Sequence, residues 1–277
     1  MILVTGATGN VGRHLVTRLL AADVPVRALT RDPGAADLPE GVEAVAGDLA
    51  DPESLEGALK GVESVFLVWP SLTAEEAPGV IEAIGRHARR VVYLSSLGVD
   101  DGAERQADLI NQFHADMERL MEKSGLEQTF LRAGTFAANS LGWAEQVRGG
   151  DVVRYPFAGA KAIIHEADIA AVAARVFTED GHVGAKHILT GPDALTTAQR
   201  VQIIGEAIGR TLSFEKTPAD VARERMLADG WPPVLVDALL SGADDQPAAV
   251  TSTVEEITGA PARTFREWAV EHADAFR

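Results

Sequence analysis

The chain has no cysteine, which excludes a disulfide framework, a thiolate-ligated zinc site and a thiol nucleophile. Positive charge is scarce: 25 Lys and Arg stand against 41 Asp and Glu, a formal net charge of −16. Both halves are acidic, so neither offers the cationic surface that nucleic acid or an anionic membrane requires. No apolar run approaches the roughly 18 residues of a membrane span. The first residues, Met1-Ile2-Leu3-Val4-Thr5-Gly6, lack the basic segment, long apolar stretch and cleavage site of a signal peptide. The expectation is a cytoplasmic protein, monomer or homodimer, with a small-molecule partner and no nucleic-acid or membrane partner. Tyrosine is rare as well, with only Tyr93 and Tyr155. What remains is an ordinary globular composition, 46% apolar and 24% charged over 277 residues. Such a chain can bury roughly 70% of its surface, either as one α/β body or as a domain with an appendage.

The first 135 residues alternate β-branched apolar runs with amphipathic helical patterns. Strands are expected at 2–5, 26–30, 42–46, 64–68, 90–95 and 129–132. Helical faces are read from Val11, Leu15, Leu19 and Leu20, from 51–60 opening on Asp51-Pro52-Glu53, and from Phe113, Met117, Leu120 and Met121. This alternation predicts a doubly wound, Rossmann-type parallel sheet with helices on both faces. After Gly134 the rhythm breaks. Residues 135–165 read as irregular, Asp168 as the cap of an Ala-rich helix to about Phe177, 187–190 as a strand, 196–208 as a helix and 212–215 as a strand. Helices split by Gly230-Trp231-Pro232-Pro233 and by the turn-rich stretch 241–247 complete the chain. The domain reading is 1–135 for nucleotide binding, with strand contributions to about 190, and 136–277 as a smaller, mainly helical substrate region.

The strongest local signal is Thr5-Gly6-Ala7-Thr8-Gly9-Asn10-Val11-Gly12, placed between a strand and a helix as a dinucleotide fingerprint requires. Gly6 serves the tight turn, Gly9 lets backbone approach a pyrophosphate, and Gly12 allows close helix–sheet packing. The helix N-terminus then faces the phosphates. At the end of the second strand, Thr30 stands where an acid would select the 2′-hydroxyl, and Arg31 follows it. A planar guanidinium there suits a 2′-phosphate, so the expected cofactor is NADPH; the alternative for Arg31 is a surface pair with Asp32. Asp48 and Leu49 are expected along the adenine, Trp69-Pro70 beside the ribose and nicotinamide, and Gly134 with Phe136 on the nicotinamide side. Phe136 is read either as stacking on a flat substrate or as core, Asn139, Trp143 and Phe157 as an apolar substrate wall, Trp231 and Trp268 as core of the substrate region. Asp100-Asp101 and Asp244-Asp245 are read as solvated loop charges. His165 and Asp168 have no third ligand nearby, so a helix cap is favoured over a metal pair.

These segments resemble the NmrA-like group of atypical short-chain dehydrogenases/reductases. Beyond the glycine turn, the resemblance rests on Arg27-Ala28-Leu29-Thr30-Arg31, Gly47-Asp48-Leu49, Tyr93-Leu94-Ser95-Ser96, Ser124-Gly125-Leu126 and Phe130-Leu131-Arg132. In the tail it rests on Gly191-Pro192, Thr258-Gly259, Thr264-Phe265 and Trp268. It covers essentially the whole chain and implies an NADP(H)-binding Rossmann domain with a small C-terminal substrate domain. Members include quinone reductases, reductases of phenolic natural products, and regulators that bind the cofactor without turning it over. The chain departs from the usual short-chain pattern, whose helix after the fifth strand carries Tyr and Lys four apart. His114 and Glu118 are aligned with that pair, leaving the ordinary proton donor missing.

Hydride addition to a plain ketone makes a strongly basic alkoxide that needs an acid. Addition to a quinone makes a phenoxide with a conjugate acid near the roughly 10 of tyrosine. His114, with an ordinary value near 6.5, and Ser95 are therefore read as hydrogen-bonding the substrate oxygen; the alternative for His114 and Glu118 is a surface pair. The sequence reading is an NADPH-dependent reductase of a quinone or flat conjugated carbonyl. Twenty arginines to five lysines suggest a GC-rich coding bias, compatible with tailoring of an aromatic natural product. An NADP(H)-sensing regulator acting through a protein partner, and a reductase of C=C or C=N bonds in phenolic compounds, remain open beside it.

Overall fold

The computed structural model describes residues 1–71, 73–240 and 249–277; the stretch 241–247 and Asp244-Asp245 lie outside the described residues. In chain order the elements are β1 Ile2–Val4, α1 Gly12–Ala21, β2 Val26–Thr30, β3 Glu43–Ala46, α2 Leu55–Leu59, β4 Ser64–Leu67, α3 Ala77–His87, β5 Arg90–Ser96, α4 Leu109–Glu122 and β6 Glu127–Ala133. Then come β7 Thr135–Phe136, α5 Ala144–Gly149, β8 Val152–Tyr155, β9 Lys161–Ile164, α6 Glu166–Thr178, β10 Lys186–Leu189 and β11 Ala194–Leu195. The chain continues through α7 Thr197–Ile208, β12 Ser213–Lys216, α8 Ala219–Ala228, α9 Pro233–Leu240, α10 Thr253–Thr258 and α11 Phe265–Glu271.

Seven strands form one parallel sheet in the order β10-β6-β5-β4-β1-β2-β3. The chain builds outward from β1 to β3, then returns to lay β4 against the other side of β1, with Val4 opposite both Ala28 and Phe66. The β1/β4 boundary is thus the topological switch point, and its crevice opens at the strands' C-terminal ends. Both faces are covered, so the central strands are apolar throughout rather than alternating. One core joins Val4, Val92 and Leu131 to α1 and α6; the other joins Leu3, Val65, Tyr93 and Phe130 to α2, α3 and α4.

The first six strands lie within two residues of expectation at each end. The seventh, β10, comes from beyond residue 180 to pair with β6. Residues 135–165 are more ordered than expected: β7 and β11 flank β9, and β8 pairs with β12. These strands are two to four residues long, and β8 meets a partner some sixty residues away, so local pattern carries no trace of them. The expected helix at 51–60 resolves into a 3₁₀ turn, Pro52–Ser54, capped by Asp51, followed by α2. His165, not Asp168, caps α6, accepting from the Ala167 amide; the Asp168 carboxylate instead receives the Arg263 backbone and side chain. A third core, around Trp143, Val147, Ile204, Phe265, Trp268 and Phe276, belongs to the C-terminal half. Trp268 sits wholly inside it, whereas Trp231 is 44% exposed, a correction to its expected core role.

Candidate active site

The turn after β1 is built by close backbone approach. Gly6 has φ +59°, a left-handed conformation that a side chain resists. A Cβ on Gly12 would lie 2.1 Å from the Gly6 carbonyl oxygen, and one on Gly9 3.1 Å from the same atom. Thr5 is buried, and its hydroxyl accepts from the Val68 amide at 2.7 Å and donates to the Val68 carbonyl, stitching β1 to the exit of β4 across the switch point. Val11 is likewise buried, beneath the turn. Gly6, Thr8, Gly9 and Asn10 are left exposed, and no side chain caps α1. The turn therefore presents amide dipoles and a helix N-terminus to an anion, the cradle a pyrophosphate needs.

At the end of β2 the pairing of Arg31 with Asp32 does not form. The Asp32 carboxylate accepts from the Gly34 and Ala35 amides, while Arg31 is exposed and has no acidic partner among the described residues. A second cation missed by the sequence reading stands on the same turn: Arg13 donates to the Gly9 and Thr8 carbonyls at 3.2 and 3.0 Å. Its signal was its place directly after Gly12. Asp48 spends one carboxylate oxygen on the Ala50 amide. Leu49 is buried in the second core, so it offers adenine no open face. Trp69 packs at the rim of that core, its indole N–H donating to Ser71 and Thr73, and Pro70 is exposed. Gly134 is buried: its amide donates to the Leu189 carbonyl, and a Cβ would meet the Ala162 carbonyl at 2.6 Å. It serves the crossing of β6 over β9 rather than the crevice surface.

The expected catalytic trio is largely absorbed by a buried ionic network. The Ser95 hydroxyl donates to Glu118 at 2.6 Å and is not free for a substrate oxygen. Glu118, 2% exposed, is gripped by Arg132 through two hydrogen bonds of 3.0 and 2.6 Å. Arg132 reaches on to both oxygens of Asp101 and to the Val99 carbonyl. Lys186 of β10 also pairs with Asp101, at 2.7 Å. The bonds from Arg132 and then Lys186 hold the Asp101 carboxyl well below the usual carboxylate range, so Asp101, though more than half exposed as expected of a loop charge, is also an ion-paired anchor of the network. The network ties β5, α4, β6, β10 and the loop after β5 into one unit. Two turns nearer the helix start, Ser96 donates to Asn111.

His114 does not pair with Glu118 at all. Its Nδ1 shares a 2.8 Å hydrogen bond with the hydroxyl of Tyr93, a fully buried residue in the middle of β5. Burial lowers the His114 pKa to about 4, so the ring is neutral at pH 7 and is no standing acid. Its Nε2 has no partner among the described residues. Of the expected substrate wall, Phe136 is half-buried against the first core and Asn139 is exposed. Trp143 instead lies inside the third core, edge-on to Tyr155 at 5.4 Å.

Comparison with known proteins agrees with this architecture. The NmrA-like family matches residues 1–239. A (4-alkanoyl-5-oxo-2,5-dihydrofuran-3-yl)methyl phosphate reductase of Streptomyces griseus is 39% identical, over 100% of this chain and 99% of that protein. An NAD(P)H azoreductase of Xenophilus azovorans is 33% identical, over 100% and 99%. The crystal structure of NADPH-dependent quinone oxidoreductase QOR2 from Escherichia coli, complexed with NADPH, superposes with a TM-score of 0.80 at 28% identity, covering 98% of this chain and 99% of that one. With its parallel sheet, its glycine turn at the switch point and this extent of likeness, the chain belongs to the NmrA-like family.

Proposed function

We propose that the protein is an NADPH-dependent reductase of acceptors that become delocalised anions: quinones and flat conjugated carbonyl compounds. The observation that carries the cofactor reading is the juxtaposition of an uncapped α1 behind an exposed glycine turn with Arg31, exposed and without an acid partner, at the end of β2. The turn amides would receive the pyrophosphate, and the Arg31 fork a 2′-phosphate, with no carboxylate at Thr30 to repel it. When bound, NADPH supplies the hydride. Support from relatives is consistent: the three proteins named above are reductases, and one structure holds NADPH.

The substrate class follows from what the chain withholds. Near the C-terminal ends of β5 and β6, Ser95 is committed to Glu118, Ser96 to Asn111, and His114 is neutral with Nδ1 engaged. None of these groups delivers a proton to a nascent alkoxide at pH 7. An acceptor must therefore hold its own negative charge, as the phenoxide of a reduced quinone does, or the enolate left when hydride adds to a conjugated C=C bond. Phe136 and the exposed Asn139 border the space such a flat ring would occupy beyond β6.

The test is cofactor preference. Arg31→Asp removes a charge-assisted hydrogen bond, whose contribution is about 1.5–3 kcal/mol, so the NADPH-to-NADH ratio of kcat/KM should fall by about 10- to 150-fold. An unchanged ratio refutes the assignment of Arg31.

A further inference from the structure

Arg200, in the first turn of α7, is buried with its charge uncompensated. It is 4% exposed, and among the described residues no carboxylate pairs with it. One NH2 group donates to the Thr197 hydroxyl at 2.9 Å, whose own proton goes to the Phe157 carbonyl at 2.7 Å. The guanidinium carbon lies 4.9 Å from the centre of the Trp143 ring, and Nε has no hydrogen-bond partner. The other buried arginines have carboxylates at hand: Arg132 has Glu118 and Asp101, Arg27 has Glu43 and two carbonyls, and Arg90, though not directly paired, feels the charges of Glu127 and Asp180.

A guanidinium cannot shed its proton to escape such a site. Burying it without a counter-ion is strongly unfavourable, and one aromatic face offsets only part of that cost. Burial accordingly draws the Arg200 pKa down to about 10. The side chains beside it are aromatic: Tyr155 lies edge-on to Trp143 and to Phe157, at 5.4 and 5.1 Å between ring centres, and whereas Trp143 is enclosed, Tyr155 and Phe157 are half-buried. In the chain, the 3₁₀ segment Ala137–Trp143 that brings Trp143 to Arg200 follows β7, which itself follows β6.

We propose that Arg200 is the recognition site for an oxyanion carried by the substrate, a phosphate monoester or a carboxylate attached to the flat acceptor. The unused N–H groups of the fork would supply the counter-charge while the half-buried Tyr155 and Phe157 hold the adjoining apolar part. This rests on the proposed function, because it makes the anion part of the molecule that is reduced. The Streptomyces griseus relative is named for a substrate bearing a methyl phosphate, in keeping with this chemistry.

Three naphthoquinones differing in one substituent, methyl, carboxymethyl or (phosphonooxy)methyl, separate the possibilities. Wild type should show a higher kcat/KM for one of the charged pair than for the methyl compound, the higher of the two identifying the anion. In Arg200→Met that preference should fall by about 10- to 100-fold, expressed in KM, since the contact is remote from the reacting atoms. Arg200→Lys should retain part of it. Equal ratios in wild type and Arg200→Met, with both folded, would leave Arg200 a structural cation over Trp143 and overturn the proposal. So would a wild type with no preference, which needs no variant to fold. If none of the three is reduced, the function is wrong but the site is still decided by calorimetric titration of 1-naphthyl phosphate. Binding to wild type that is lost in Arg200→Met supports it; no binding, or equal binding, refutes it.

Discussion

Replacing Arg132 with methionine should be far more damaging than the loss of one surface-type ion pair. Arg132 makes five hydrogen bonds, two to Glu118, two to Asp101 and one to the Val99 carbonyl. Asp101 is half in solvent and keeps Lys186, so its loss of Arg132 matters little. Glu118 is enclosed, keeping only the Ser95 hydroxyl as a hydrogen-bond donor and a long 4.0 Å ion pair with Lys186, whose nearer partners are Asp101 and Glu122. Removing one partner of a buried pair costs about 3–5 kcal/mol. At about 2.1 cal/mol/K of unfolding entropy per residue, that lowers the midpoint of this chain by about 5–9 °C. The double variant Arg132→Met/Glu118→Met removes the orphaned charge as well and should recover most of the loss, because apolar replacement of a buried pair is often neutral or stabilising. Thermal unfolding of wild type, both single variants and the double variant closes the cycle. A double variant no more stable than Arg132→Met would show that the damage is lost packing, not an uncompensated carboxylate.

His114 carries a pH signature. Its folded-state pKa, about 4, lies below the ordinary 6.5, so protonation favours the unfolded chain. The stability it contributes is complete above pH 6.5 and is lost as pH falls towards 4. Between pH 7.5 and 5 wild type should lose about 2 kcal/mol more than His114→Asn in denaturant melts, and equal losses would contradict the burial. The same neutrality means that kcat should show no limb near pH 6.5. In the glycine turn, Gly12→Ala drives a methyl into the Gly6 carbonyl at 2.1 Å and should unfold the turn, lowering the thermal midpoint. Gly9→Ala makes only a 3.1 Å contact and should fold while weakening NADPH in calorimetric titration; full NADPH affinity in either variant would count against the cradle.

The parallel sheet was legible because its strands are continuous apolar runs and its helices carry clear apolar faces, as in Val11-Leu15-Leu19 and Phe113-Met117-Met121. The glycine turn was legible because backbone geometry alone dictates those residues. The short strands β7, β8, β9 and β11 were not, since each is defined by a partner distant in sequence. Side-chain roles at the strand ends were also hidden. Ser95, Glu118, Asp101 and Arg132 read as two catalytic candidates, a solvated charge and a motif arginine, and only their convergence in space makes them one network. His114 kept its ordinary value on paper because sequence does not reveal how deeply its ring is buried. Arg200 carried no local signal, since only the fold shows that it is buried with no carboxylate partner among the described residues.

The most direct test of the account is NADPH oxidation followed at 340 nm, with menadione, a conjugated 2,5-dihydrofuranone and cyclohexanone as acceptors and NADH as control. Reduction of the first two with NADPH, and none of cyclohexanone, is the expected result. Equal turnover of cyclohexanone would contradict it, since a chain that reduces a plain ketone must hold an acid that this site does not provide.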